Sequence, residues 1–113
     1  MALRWYTVVV DCHDIAAQAR WWAQTLDFQI VYEDEHEVAV IPKHMSEDVI
    51  EDGATWLRQA QGLVFVPVPE GKTVKNRLHI DLAPHTSQDR PRDVVVLADP
   101  EGNEFCVLSS RDR

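Results

Sequence analysis

The chain has only two cysteines, Cys12 and Cys106, in 113 residues. They show no CxxC or zinc-ribbon spacing, so a disulfide framework is excluded and free thiols in a reducing compartment are expected. Long hydrophobic runs are also missing. Stretches such as 94–98 are far too short to cross a bilayer. The start, MALRWYTVVVDC, lacks a signal-peptide layout, because Asp11 arrives before an apolar region is complete. A cytoplasmic protein is expected. Positive charge is scarce: 11 Lys and Arg stand against 19 Asp and Glu, a net charge of −8. That argues against nucleic acid and anionic membrane surfaces as partners.

What is present is an ordinary globular composition, 45% hydrophobic and 27% charged. The length fits a single domain, 1–113. A domain of this size buries roughly two-thirds of its unfolded surface, so it needs no disulfide or metal merely to fold.

Residues 5–12, WYTVVVDC, are aromatic and β-branched and predict a strand. Asp14 is placed to cap a helix, since its carboxylate can accept from free first-turn amides. Ile15, Ala19, Trp22, Ala23 and Leu26 then form an apolar helical stripe, with Trp21 at its edge. Residues 28–33 and 37–42 alternate as two strands around the charged tip Asp34, Glu35 and His36, where His36 is expected to be exposed. Residues 43–61 predict an irregular connection with some helix, capped by Ser46 and weakened by Gly53. Further strands are expected over 63–68, 77–83, 93–98 and 104–108. The polar loop 84–92 and the turn DPEGN over 99–103 separate the last three.

The stretch 72–82, KTVKNRLHIDL, carries the functional question. As an extended strand it points Leu78, Ile80 and Leu82 one way and Arg77, His79 and Asp81 the other, with ~7 Å between successive members of each row. Histidine suits acid–base work near neutrality. Asp81 either orients His79 or pairs with Arg77. Lys72, Lys75 and Arg77 form either a solvated turn or a holder for an anion.

The order βαβββ, then β–loop–ββ, resembles the vicinal oxygen chelate superfamily (glyoxalase, bleomycin resistance and dioxygenase proteins). Within it the chain resembles the actinobacterial glyoxalase-like domain. The carriers are VVVDCHDIAAQARWWAQTL, VPVPEGKTVKNRLHIDL and VVLADPEGNEFCVLSS, about half the chain in the family's order. The resemblance implies an α+β fold of paired βαβββ modules forming a curled mixed sheet with a concave active-site face. Module one would span about 1–69. Module two would span about 70–113, shortened and lacking its helix.

Metal-dependent members carry one ligand on the first and one on the last strand of each module. Carried over, these positions are Thr7, Phe65 or Val66, His79 and Cys106. Only His79 and Cys106 can ligate, so no cofactor is expected, with a divalent metal as the minor alternative. A site with His79, Cys106 and a further donor such as Asp11 or Glu104 stays open.

The expected function is a glyoxalase-like lyase or isomerase. His79, Asp81 and Glu104 are the catalytic candidates, and Arg77, Lys75, Asp11, Trp5 and Trp56 the substrate-binding ones. The alternatives are a binding protein that sequesters a flat aromatic ligand without chemistry, and a degenerate structural domain. Trp22 belongs to the core, so Trp5 and Trp56 are the stacking candidates. With the second helix missing, Leu78, Ile80, Leu82, Phe105 and Val107 lack a cover, and a homodimer is expected.

Overall fold

A computed structural model of the chain describes Leu3, Trp5 and residues 7–43, 62–83 and 95–108. The expected helix within 43–61, Trp56 and the loop 84–92 lie outside the described residues, except Lys43 at the start of the first. The chain forms two compact units, Met1–Glu70 and Gly71–Arg113. Within an α+β architecture each unit carries its own sheet, and the one helix among the described residues lies in the first.

In the first unit, β1 (Val8–Cys12) is followed by α1 (Ile15–Leu26). Then come β2 (Phe28–Glu33), β3 (Val38–Pro42) and β4 (Leu63–Pro67). The sheet order is β1-β4-β3-β2. β1 and β4 run parallel, with Val10 opposite Phe65, and the other neighbours are antiparallel. The Asp14 carboxylate caps α1 as expected, accepting from the Ala17 N–H at 3.0 Å. The helix stops at Asp27, whose left-handed backbone (φ 56°) turns the chain into β2.

The stripe packs as expected. Ala19, Trp22 and Ala23 are buried with Val38, Val40, Leu63 and Phe65, while Trp21 sits edge-on to Trp22 with ring centres 5.1 Å apart. Gln18 is also buried, which its polarity conceals in the sequence. Arg20 ties α1 to β2 through a two-pronged pair with Glu33, both contacts at 2.9 Å. At the β2–β3 turn the Asp34 carboxylate accepts from the backbone of His36 and Glu37, and His36 is exposed as expected.

The second unit repeats this logic with fewer parts. Its strands are β5 (Asp81–Leu82), β6 (Val95–Ala98) and β7 (Glu104–Val107), ordered β5-β7-β6. Again the first strand pairs parallel with the last, Asp81 opposite Cys106, and the last pairs antiparallel with the one before it. Residues 13–37 separate β1 from β3, whereas only residues 83–94 separate β5 from β6. The second unit contains no helix among the described residues.

The turn before β7 is built by Asp99. Its carboxylate accepts from the N–H groups of Glu101 and Asn103 at 3.0 Å each, and Gly102 supplies the positive φ of 87°.

Two expectations need correction. The strand placed over 77–83 is regular only at Asp81–Leu82, because the backbone bends at Arg77 and Leu78. Leu78 therefore leaves the apolar row and is 87% exposed. The uncovered apolar surface also lies elsewhere. Phe105 is only 4% exposed, and Ile80, Leu82 and Val107 are half-buried. It is edge strand β6 whose four residues are all exposed, Val96 at 63%.

Candidate functional site

The parallel β5–β7 pair builds the site. Asp81 and Cys106 are direct partners across the ladder, so their side chains emerge as neighbours on one face. His79 lies two residues before Asp81 and joins that face. The ladder extends back to it, since the Cys106 N–H donates to the Ile80 carbonyl at 3.0 Å. His79 Nδ1 then meets Asp81 Oδ1 at 2.7 Å, each side chain 43% exposed. One nitrogen of His79, one carboxylate oxygen of Asp81 and Sγ of Cys106 all lie within 4.8 Å of one another.

Of the two partners expected for Asp81, the structure pairs it with His79. A carboxylate accepts only, so Nδ1 is the donor in this contact. Half-exposed pairs of this kind add little to stability. Their effect is to fix one tautomer and one ring orientation.

Glu104 starts β7 and belongs to a different arrangement. Lys72 Nζ donates to its Oε1 at 2.9 Å and also to the Val74 carbonyl at 2.7 Å. The Asn76 N–H donates to Oε2 at 3.2 Å, and Asn76 Nδ2 donates to the Glu104 carbonyl at 3.3 Å. Glu104 therefore straps residues 72–76 onto β7. The Lys72 ammonium, helped by backbone donors, holds its carboxyl well below the usual 4.5, at about 2.

A group with a depressed folded pKa stabilises the fold above its unfolded pKa, and that contribution fades as pH falls towards the folded one. Wild-type stability should thus drop between about pH 4.5 and about pH 2. Thermal melts across that range should show a smaller drop in Glu104→Gln, which starts less stable at pH 6. An identical acid profile in both proteins would remove this role for Glu104.

Lys72 is taken up by the strap. Lys75 and Arg77 are exposed, and neither has a hydrogen-bond or ion-pair partner among the described residues. Asp11, on β1, and Trp5, 65% exposed, belong to the first unit. Thr7 is not a ligand; its hydroxyl donates to the Gly62 carbonyl at 3.1 Å. Phe65 is buried core and Val66 is apolar. Sequence reasoning missed Asn76, whose only signal was its nearness to the basic cluster.

The model of the family described as a glyoxalase-like domain matches residues 7–108. The chain belongs to the glyoxalase-like domain family. Two solved structures share the fold of this glyoxalase-like domain. One is the oxidase ChaP-H2, 14% identical, with 96% of this chain and 94% of that one covered and a TM-score of 0.57. The other is a hypothetical protein, SA1046 from S. aureus, 12% identical, with 96% and 95% covered and a TM-score of 0.62. No curated protein matches the chain.

The family match is consistent with the vicinal oxygen chelate superfamily, and the two structures share the fold. The fold and family support a small-molecule-binding or enzymatic protein of that type. No helix among the described residues is long and apolar enough to cross a membrane. The four ligand positions of the superfamily's metal-dependent members do not fit this chain as a set. Thr7 is engaged by backbone, and Phe65 and Val66 offer no donor.

Proposed function

We propose that this glyoxalase-like domain is a cytoplasmic lyase or isomerase that moves a proton next to a carbonyl in a small oxygenated substrate. The observation that carries the reading is the 2.7 Å pair between His79 Nδ1 and Asp81 Oδ1 on a half-exposed face. Asp81 anchors one side of the ring and leaves Nε2 open to a ligand. Nε2 takes the proton from the carbon beside the carbonyl, and the C–H electrons move into the enolate. The imidazolium then returns the proton to the neighbouring carbon or oxygen. Arg77 and Lys75, exposed beside His79 in sequence, would hold a carboxylate or phosphate of the substrate. Glu104 then positions residues 72–76 through its strap.

The test is proton exchange into small 2-oxo compounds in heavy water, with His79→Ala as comparison. Binding without exchange would favour a sequestering protein, for which exposed Trp5 offers a stacking surface and Trp56 a second candidate.

The homodimer belongs to this proposal. Its support is β6, an edge strand of four exposed apolar residues. Unpaired edges of this kind invite strand addition. Sedimentation at micromolar concentration should show a dimer for the wild type and a monomer for Val96→Lys. A wild-type monomer would remove the dimer.

A further inference from the structure

We propose that the strapped segment 72–78 sets the specificity of the His79 site and selects substrates that join an anionic group to an apolar body, the longer 2-oxo acids being the simplest class. The inference rests on the proposed proton-transfer site and names what that site admits.

Glu104 stands two residues before Cys106 on β7, so it shares that residue's side of the sheet, the side of His79 and Asp81. The strap is therefore anchored at the site. Four hydrogen bonds hold it. Lys72 Nζ donates to the Val74 carbonyl and to Glu104 Oε1, while the backbone and side-chain N–H groups of Asn76 donate to Glu104 Oε2 and the Glu104 carbonyl. Lys72 and Asn76 are half-buried by these contacts. The residues between and beyond them are exposed: Val74 at 75%, Lys75, Arg77, and Leu78 at 87%. Val74 and Leu78 are both more exposed than Val96 on the β6 edge.

Single exposed apolar side chains are ordinary on a protein surface. Here two of them flank two cations that have no partner among the described residues, immediately before His79. A backbone already fixed by the strap loses little freedom when a ligand settles on it. A hydrocarbon chain would take the apolar pair out of water, and the cations complement a carboxylate. The net charge of −8 sets the protein against an anionic bilayer, so a small amphiphilic anion is the occupant.

The experiment is titration calorimetry of the full-length protein with straight-chain 2-oxo acids of increasing length, from 2-oxobutanoate to 2-oxooctanoate. It reads binding and needs no turnover. Affinity should rise about two- to fourfold per added methylene. In the double variant Val74→Ser, Leu78→Ser, the longest acid should lose at least about tenfold more affinity than the shortest. Arg77→Gln should weaken the whole series by a similar factor. All three positions are exposed, so these changes should leave the fold intact. Affinity independent of chain length, a rise that survives in the double variant, or no binding of any member would overturn the inference. So would binding to phosphatidylglycerol vesicles that the double variant loses, with no rise along the acids, which would assign the segment to a membrane surface. A rise with chain length but no proton exchange supports this inference and removes the acid–base reading; exchange without the rise does the reverse. The wild-type series needs no variant, so it tests the inference by itself.

Discussion

Gly62→Ala should be among the most destabilising single substitutions in the first unit, costing about 3 kcal/mol or more. A Cβ built at Gly62 would lie 2.3 Å from the Val40 carbonyl oxygen and 2.8 Å from Ile41 Cγ2. Neither neighbour can yield easily. The carbonyl belongs to β3, which pairs with β4 on one side and β2 on the other, and Val40 and Ile41 are both buried. Moving Gly62 instead would disturb its carbonyl, which receives the Thr7 hydroxyl.

Gly102→Ala gives the contrast. It meets nothing within 4 Å, yet its φ is +87°. Its cost is conformational, about 1–2 kcal/mol. Urea unfolding should give a lower midpoint for both, with a markedly larger shift at Gly62. Equal shifts would mean that the close approach at Gly62 is relaxed by the sheet.

Much of the first unit was legible in the sequence because its signals are local. A helical stripe, an Asp N-cap and an acidic turn between alternating strands each act within a few residues. Asp99 likewise holds Glu101 and Asn103, two and four residues on. The crowding at Gly62 was not legible, since it comes from a strand 22 residues earlier, and a lone glycine before a strand looks like a turn.

The second unit misled in physical terms. An apolar run such as Val95–Ala98 reads as a buried strand, but at a sheet edge it has a neighbour on one side only among the described residues. The alternation over 77–83 suggested a full strand, yet only Asp81 and Leu82 gained regular strand pairing, while His79 and Asp81 stayed together. Glu104 looked like part of the same polar face. Its partner Lys72 lies 32 residues away, and no spacing rule reveals that.

Loss of His79 should have the largest functional effect. A positioned acid–base group contributes about 10²–10⁴-fold to proton transfer. His79→Ala should therefore lower exchange by at least about 10²-fold while leaving the thermal midpoint nearly unchanged, because the side chain is half-exposed and its pairing adds little to stability. Asp81→Ala should act in the same direction and more weakly, since it loosens the ring and its tautomer but leaves the imidazole. Arg77→Ala and Lys75→Ala should weaken binding of anionic substrates more than the exchange of bound ones.

The most direct measurement is proton NMR of a panel of 2-oxo acids and 2-oxo aldehydes in heavy water. The panel is incubated with EDTA-treated wild type and with His79→Ala. The account predicts that wild type accelerates loss of the proton beside the carbonyl in at least one compound, and that His79→Ala brings that rate close to background. Acceleration that survives unchanged in folded His79→Ala, or none with any compound, would contradict it.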